Sequence, residues 1–442
     1  MINKFMKVRS EPVWTNKINL RKVANRYVVF AILFTLPIDF FLPTGLIFRE
    51  FGAKPAIIIL SVLAIAVLFN SIIYRKKIHF LKTILFEYSL IFFFGITAFL
   101  FMVNENKLDF FASMSPSIQF FRQSLMMLSC LFSLIFITHY FSYNDKRSYI
   151  ISLIPYIALI HELFFLTDFL SLDEHAHWFF SYFKTENAGY VGRASGLMSE
   201  PSYFGAFSAL FGMPLLLLDN YRQKAYRALG LILLISAFSI SAKTMFLLIL
   251  LQLFFFNFYV NSKFKKNKIF IFAVLALVGI IYNNLTNKFL NVNEDLSTAM
   301  RFGSSLLGLN IAISGYGLTG IGIGQFHFFY KDEYAPSWLF DSAEANDQFD
   351  ISFVKSRAST YNMFIRLFVE TGFIGVLLYF DIIRRAFRSA SFSLDPAAQF
   401  GTLLTSGSVG FLMTQDTYFY PPMVLGLALM FSNIHFDKFT RK

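Results

Sequence analysis

The feature that most constrains this chain is the recurrence of long apolar runs separated by short polar segments. A membrane-spanning helix needs about 20 apolar residues, because every backbone polar group in lipid must be satisfied inside the helix. About twelve such runs occur, and they predict an all-α, polytopic integral membrane protein with a single transmembrane domain over residues 1–442. They lie at about 27–47, 55–74, 83–103, 120–141, 149–170, 202–219, 228–241, 244–261, 268–283, 361–382, 397–414 and 419–435.

Composition agrees with this class. The chain is 56% hydrophobic and carries 60 Phe, whereas only 15% of its residues are charged. Soluble domains carry about 25% charged residues, so a soluble protein is excluded. The single cysteine, Cys130, lies in an apolar run, which excludes an intramolecular disulfide and a thiol metal site.

The formal charge of +12 has a topological explanation. Cytoplasmic loops of membrane proteins are rich in Lys and Arg, and the basic clusters here recur after every second span. They lie in 1–26 and at Arg75–Lys77, Lys146–Arg147, Arg384–Arg388 and Lys438–Lys442. This pattern predicts a cytoplasmic N-terminus (1–26), a cytoplasmic C-terminus and no nucleic-acid partner.

The runs 228–241 and 244–261 could also form one long helix. Basic residues precede the pair at Arg222 and follow it at Lys263, and both groups favour the cytoplasm. An even number of crossings must then separate them, so two short spans are predicted.

Two segments on the outer side are longer than a turn, 171–201 and 284–360. Connections of such length are uncommon and are usually functional or disordered. Periodic apolar residues over 299–313 and 321–330 predict short helices lying at the membrane interface.

The first outer segment ends in a polar motif, Arg193 to Gly205. Pro201 suits the first turn of a helix, and Ser199 or Glu200 could cap its free N–H groups. Glu200 could equally act as a general base toward a sugar hydroxyl. We therefore expect a polar loop that leads into a membrane helix.

Three cations are expected on the outer side, Arg193, Lys243 and Arg301, although the positive-inside rule disfavours them there. Each alone could pair with a carboxylate or a lipid headgroup. Together they suggest a phosphate clamp, because the guanidinium fork suits diphosphate oxygens.

Other polar residues have simpler interpretations. His161, Glu162 and Asp39 are interpreted as internal polar residues, although ionisable groups in membrane segments are functional candidates by default. Residues 315–320 match the GxGxxG pattern but follow no strand, so a tight, close-packed turn is predicted instead of a dinucleotide site.

The motifs occur in a recognisable order. They are Arg193-x-x-Gly196-x-x-x-Glu200-Pro201-Ser202, then Ser241-Ala242-Lys243-Thr244, then Arg301 followed by Gly315-Tyr316-Gly317, and then Thr360-Tyr361-Asn362 leading to Glu370-Thr371-Gly372-Phe373-Ile374-Gly375. Over about 190–380 this order resembles the Wzy-type O-antigen polymerases and the related O-antigen ligases, integral membrane glycosyltransferases of the GT-C type.

The resemblance implies a GT-C-like fold, an inner-membrane location and periplasmic loops at 171–201 and 284–360. Arg193 and Arg301, with Glu200, would form the catalytic site, with the two arginines holding the diphosphate of a polyprenyl-linked saccharide. The substrate-binding positions implied are Gly196, Ser202, Lys243, Gly317, Tyr361, Asn362 and Glu370.

The implied function is polymerisation of lipid-linked repeat units of O-antigen or capsular polysaccharide, with undecaprenyl-diphosphate oligosaccharide as both donor and acceptor. No metal or other cofactor is expected, and a chain-length regulator protein is a possible partner. One alternative is an O-antigen ligase, but ligases typically place a histidine where this chain has Tyr361. The other is a flippase or transporter for the same lipid-linked sugars, whose ionisable residues should cluster near the bilayer midplane.

Overall fold

The computed structural model describes residues 20–48, 54–74, 82–105, 108, 115–170, 182–183, 194–240, 244–260, 296–329, 332–334 and 360–440. This part of the chain is helical and contains no strand. Its α-helices are α1 (Leu20–Thr35), α2 (Leu42–Phe48), α3 (Pro55–Ile73), α4 (Lys82–Asn104), α5 (Pro116–Phe141), α6 (Asn144–Phe169), α7 (Pro201–Leu217), α8 (Lys224–Ser239), α9 (Thr244–Tyr259), α10 (Leu296–Ile311), α11 (Met363–Ala390), α12 (Pro396–Leu412) and α13 (Pro421–Thr440).

The chain is a membrane-embedded, all-α protein. Within the described residues, five helices are long and apolar enough to cross a bilayer, namely α3, α4, α5, most of α6, and α11. Shorter apolar helices occur at Pro201–Leu217, Met245–Tyr259 and Pro421–Asn433. The expected span at 268–283 lies outside the described residues, so the count of about twelve crossings stays a prediction.

Proline sets several helix boundaries. Helices α3, α5, α7, α12 and α13 begin with proline, whose missing N–H is not needed in the first helical turn. Pro201 was expected in this role, and the structure confirms it. Pro37 has the opposite effect and ends a helix, because a proline disfavours helical backbone at the residue before it. The run expected at 27–47 is therefore divided into α1 and α2 by a non-helical connection that contains Asp39.

The two short helices α8 and α9 are separate, as the charge argument predicted. Both pack on α7, and α9 also packs on α12. Glycine permits the closest of these contacts, because a Cβ added at Gly230 would lie 2.9 Å from the carbonyl oxygen of Gly212. Small residues of this kind let membrane helices approach closely, where van der Waals packing drives association.

Charges divide the bundle into two ends. At the basic end, the fully buried Arg147 near the start of α6 pairs with Asp395, the N-cap residue of α12. At the same end Arg385, near the end of α11, pairs with Glu87 of α4, with Nε 3.0 Å from Oε1. At the opposite end, here called the motif end, Asp168 near the end of α6 contacts the loop that precedes α7.

Helix α11 is interrupted at Gly372, whose φ of 74° and ψ of 178° are not helical. The glycine-rich segment 317–322 supplies the hydrogen bonds that the interruption removes. These bonds run from Ile321 N–H to the Val369 carbonyl (2.9 Å), from Gly322 N–H to the Glu370 carbonyl (3.0 Å) and from Phe373 N–H to the Gly317 carbonyl (2.8 Å). The GxGxxG match is thus a close-packed turn, as predicted, and Gly317 and Glu370 belong to one structural unit.

Candidate functional site

The loop 194–200, here called the motif loop, is fixed from both sides by carboxylates. Oδ2 of Asp168 accepts the backbone N–H groups of Ser195 (2.7 Å) and Gly196 (2.9 Å). Gly196 lies against the backbone of Phe165 in α6. The polar residues of the motif are thereby held directly over the end of α6.

Asp39 provides the second attachment. It lies in the connection after α1, and its two carboxylate oxygens accept the backbone N–H (2.9 Å) and the hydroxyl of Ser199. Sequence analysis treated Asp39 as an internal polar residue, yet it fixes the residue immediately before Glu200. No local sequence signal indicates this contact, because the two residues are 160 positions apart.

Glu200 occupies the N-cap position of α7, but its side chain does not cap the helix. The expectation that Ser199 or Glu200 provides a side-chain cap is therefore wrong. Glutamate is longer than the residues that cap well, and its backbone here is extended, with φ of −140°. Its Oε2 instead accepts the Ser202 hydroxyl at 3.2 Å, so two predicted site residues are neighbours. The Glu200 carboxylate is partly exposed.

Asn362 begins α11 as a true N-cap. Its Oδ1 accepts the backbone N–H groups of Phe364 (3.0 Å) and Ile365 (3.2 Å). Tyr361 precedes it with a left-handed φ of 48°. The structure therefore gives Asn362 a capping role, and its predicted contact with substrate stays a prediction.

Glu370 is completely buried and its carboxylate is surrounded by donors. Its Oε1 accepts Nε of Arg366 at 3.1 Å, and its Oε2 accepts the Gly324 N–H at 2.7 Å together with the Tyr418 hydroxyl. Through these hydrogen bonds Glu370 joins α11 to Gly324, which follows the glycine-rich segment, and to the connection before α13. The structure therefore gives Glu370 a role in fixing these elements, and its predicted contact with substrate stays a prediction.

Arg366 extends this network to Asp416 in the connection before α13. Its Nη1 donates to the backbone carbonyl of Asp416 at 2.9 Å and lies 3.4 Å from the Asp416 carboxylate. The guanidinium carbon also lies 4.8 Å from the centre of the Tyr418 ring. Arg366, Glu370, Asp416 and Tyr418 are called the sealed network below.

Lys54, which directly precedes α3, faces two carboxylates. It interacts electrostatically with Asp39 and Asp416, and it forms no hydrogen bond or ion pair with any other residue that the structure describes. Burial lowers the pKa of Lys54, and the two carboxylates oppose that effect. Lys54 thus faces both Asp416 of the sealed network and Asp39, the residue that fixes the motif loop.

Asp39 and Lys54 line a narrow cleft whose interior has room for little more than one water molecule. This cleft is called the open cleft below. The remainder of its lining is apolar or aromatic and consists of Leu36, Pro37, Ile38, Tyr203, Phe207, Leu210, Phe211, Tyr420, Pro421 and Pro422. Burial raises the pKa of Asp39 from 3.8 to about 6, although the Ser199 hydrogen bonds and Lys54 act against the shift.

The predicted phosphate clamp of Arg193, Lys243 and Arg301 stays a prediction. Arg193 and Lys243 lie outside the described residues, and Arg301 lies in α10 without a described side chain. His161 and Glu162 are internal, and they contact different helices. His161 Nε2 lies 2.9 Å from the Phe34 carbonyl of α1, whereas Glu162 accepts the Ser236 hydroxyl of α8 at 2.5 Å.

Sequence analysis missed Lys54, Arg366 and Asp416. Arg366 had a usable signal, since it precedes Glu370 by four residues and so shares a helix face with it. Lys54 and Asp416 had none, because Lys54 follows Arg49 and Glu50 in a short charged connection and Asp416 is a single charge between two apolar runs.

No protein-family model matches the chain, and no curated protein matches it.

Proposed function

We propose that this protein polymerises lipid-linked oligosaccharide repeat units at the outer face of the cytoplasmic membrane. The observation that carries the proposal is the convergence of charged and polar groups from distant segments at one end of an apolar bundle. Ser199 contacts Asp39, Asp39 faces Lys54 and Glu200, and Lys54 faces Asp416. Each charge placed there opposes the preference of the bilayer for apolar residues, which indicates a functional reason.

The proposed reaction moves the growing glycan from one undecaprenyl diphosphate to the non-reducing sugar of a fresh lipid-linked unit. The leaving group is a diphosphate, whose charge develops as the glycosidic bond to phosphate breaks. Arg193, Arg301 and Lys243 would stabilise that charge, because preorganised cations act most strongly where charge appears in the transition state. Glu200 lies beside Asp39 at the start of α7, where it could orient the acceptor.

The membrane orientation follows from the basic end of the bundle. Positive loops favour the cytoplasm, so the motif end would face outward, with about twelve crossings and both chain termini inside. Reporter fusions after Arg227 and after Lys268 should both give cytoplasmic signals. Opposite signals from these two positions would contradict the proposed topology.

The function is tested by the surface glycans of a strain that lacks the gene. A polymerase deletion should reduce the ladder of glycan lengths to a single repeat unit, because a separate ligase still transfers that unit. Loss of the single-unit band, with polymer accumulating on its lipid carrier, would identify a ligase. Single units accumulating on the cytoplasmic side would identify a transporter. Wild-type chain restored on a plasmid is the control.

A further inference from the structure

Helix α10 and the turn that follows it descend along the first half of α11. The hydroxyl of Ser305 in α10 donates to the carbonyl of Thr360 (2.8 Å), which lies just before α11 at the motif end. Farther along the chain, the carbonyl of Gly317 accepts the N–H of Phe373 at 2.8 Å, ten residues after the start of α11. At 1.5 Å per residue, the chain has moved about 15 Å away from the motif end.

The chain then returns to the end from which it came. Nε2 of Gln325 donates to the carbonyl of Pro116 (3.2 Å), the first residue of α5, at the end of that helix opposite the basic end. Residues 305–325 thus form a helix-and-loop hairpin that enters and leaves the bundle at the motif end. Its deepest part, residues 312–320, is called the re-entrant tip below.

The charged cluster at the basic end fixes the depth of the re-entrant tip. In α11 this cluster begins with Asp381 and ends with the exposed Arg388, and charges of this kind mark the end of a membrane span. Phe373 precedes these two residues by eight and fifteen positions, which is about 12 and 22 Å along the helix. In a hydrocarbon core about 30 Å thick, Phe373 and the tip bound to it then lie about 8 to 18 Å below the outer edge.

Helix α4 gives the same depth independently. Glu87 of α4 pairs with Arg385 of the charged cluster, so α4 and α11 are aligned at the basic end. Gly95 lies eight residues farther along α4, and a Cβ there would overlap the side chain of Ile323. Ile323, on the returning part of the hairpin, is therefore also about 12 Å from the charged cluster.

The polar groups of the tip are satisfied within the segment. The N–H groups of Gly317 and Gly320 donate to carbonyl groups of the tip, each at 2.7 Å. The exposed hydroxyls of Ser314 and Thr319 donate to neighbouring backbone carbonyls at 2.7 and 3.3 Å. Internal hydrogen bonds of this kind are what lipid requires of a polypeptide, since no water is present there.

The side chains that project from the tip are apolar. Ile313 is 80% exposed and Leu318 is 75% exposed. Beside the tip, α11 carries the exposed apolar side chains of Phe373, Ile374 and Leu377, and α11 is long and apolar enough to cross a bilayer. The exposed surface of the tip therefore continues the lipid-facing surface of a membrane-spanning helix.

We propose that the re-entrant tip enters the bilayer from the motif end and that Ile313 and Leu318 contact lipid acyl chains near its middle. This position is deeper than the membrane interface, at which sequence analysis placed the short helices of this segment. Because the hairpin enters and leaves on one side, the number of crossings does not change. The inference is independent of the polymerase function.

The experiment measures the depth of a nitroxide label on the full-length protein in lipid nanodiscs. Cys130→Ala removes the one native cysteine, and Leu318→Cys, Leu377→Cys or Leu394→Cys introduces the labelling site. Leu377 is the lipid-facing reference, whereas Leu394, 92% exposed in the connection after α11, is the aqueous reference. The label at 318 should collide with oxygen as often as the label at 377. Its collisions with a polar nickel chelate should be about tenfold or more below those at 394, because polar solutes are excluded from hydrocarbon.

Ile118→Cys provides the control for the interface, because Ile118 is 59% exposed near the start of α5. If the label at 318 meets the nickel chelate as often as the labels at 118 or 394, the tip lies at the interface or in water, and the proposal is overturned. Low access to both oxygen and nickel would show that protein covers the tip, such as a second copy of the chain. That result would also overturn the contact with lipid.

A charge substitution gives a second readout that needs no label. Leu318→Asp would place a carboxyl group at membrane depth and should lower the melting temperature in nanodiscs by about 5 °C or more. Leu394→Asp, at the more exposed aqueous position, should leave the melting temperature unchanged. A wild-type melting temperature for Leu318→Asp would contradict the insertion of the tip.

Discussion

The sealed network lies beside the open cleft, and Lys54 of the cleft faces Asp416 of the network. The two regions differ in how completely their carboxylates are hydrogen-bonded. In the sealed network Glu370 has no exposed surface and accepts from Arg366, Gly324 and Tyr418. In the open cleft Asp39 keeps unused acceptor positions, and Lys54 faces two carboxylates without a hydrogen bond to either.

The difference separates two uses of ionisable residues in a membrane protein. Buried charges are stable only when they are fully paired, and such pairs fix the relative positions of the elements that carry them. Charges with spare capacity can contact a substrate. How fully the carboxylate is hydrogen-bonded, more than the presence of charge, therefore separates Glu370, which fixes the frame, from Asp39 on the proposed reactive side.

The largest effect is expected from Glu370→Ala. Removing Glu370 leaves the buried Arg366 with only the partly exposed Asp416 as its counter-charge, and breaking a buried pair in this way costs up to about 3–5 kcal/mol. The variant should show low membrane abundance and a thermal transition far below that of wild type. The double variant Arg366→Met with Glu370→Met removes both charges and should recover most of the lost stability. A stable, inactive Glu370→Ala protein would instead place Glu370 on the reactive side of the comparison.

The next largest effect concerns the glycine-rich segment beside the sealed network. Gly320 has φ of 74°, and a Cβ there would lie 2.6 Å from the Glu370 carbonyl oxygen. Gly320→Ala combines backbone strain with a clash against the backbone and should lower the free energy of unfolding by about 2–4 kcal/mol.

Gly315→Ala is the control for that substitution. Gly315 also has positive φ, at 118°, but a Cβ there meets no atom within 4 Å. It should therefore show the backbone strain alone, about 1–3 kcal/mol, in the same thermal assay. Equal losses at the two positions would show that the contact with Glu370 contributes little.

Arg193→Lys and Arg301→Lys test the reactive side. If these residues grip diphosphate through paired donors, lysine supplies charge without the guanidinium fork. Losing one charge-assisted hydrogen bond, about 1.5–3 kcal/mol, should slow turnover about ten- to a hundredfold at normal protein abundance. Polymer length and membrane abundance are measured together, and full-length polymer from both variants would contradict the clamp.

The smallest effect is expected from Ser202→Ala. Its hydroxyl donates to the partly exposed Glu200 carboxylate at 3.2 Å. Loss of this neutral-to-charged bond at the surface should reduce the polymerisation rate about two- to fivefold, with unchanged thermal stability. A larger loss would make the orientation of Glu200 a sensitive part of the site.

The helical class and several boundaries were predictable because their causes are local. Apolar runs, the proline at position 201 and the flanking basic residues each act within one segment, and α7, α8 and α9 appear where these signals place them. The sequence placed Gly317 and Glu370 in one ordered series of motifs, but it did not predict that the two residues belong to one structural unit. The first helix ends before Pro37, earlier than the predicted run 27–47 would allow. This effect was missed although it is local, because a proline restricts the backbone of the residue directly before it.

The open cleft was not predictable, since it depends on which helix ends become neighbours. Asp39 and Lys54 lie on either side of the short helix α2, whereas Asp416 comes from a distant connection, and each alone resembles an ordinary charge beside a membrane span. Hydropathy indicates whether a segment lies in the membrane, but it does not indicate which other segments are its neighbours. Only packing brings these three charges together.

The interruption of α11 imposes an order on the biogenesis of the protein. The carbonyl groups of Val369 and Glu370 are satisfied by the segment 317–322, which leaves the ribosome before α11 does. If α11 entered lipid before these carbonyl groups were hydrogen-bonded, it would carry unsatisfied polar groups into the hydrocarbon. Completion of α11 therefore has to await docking of the earlier glycine-rich segment, and a chain that fails this docking would present an unfinished helix to membrane quality control.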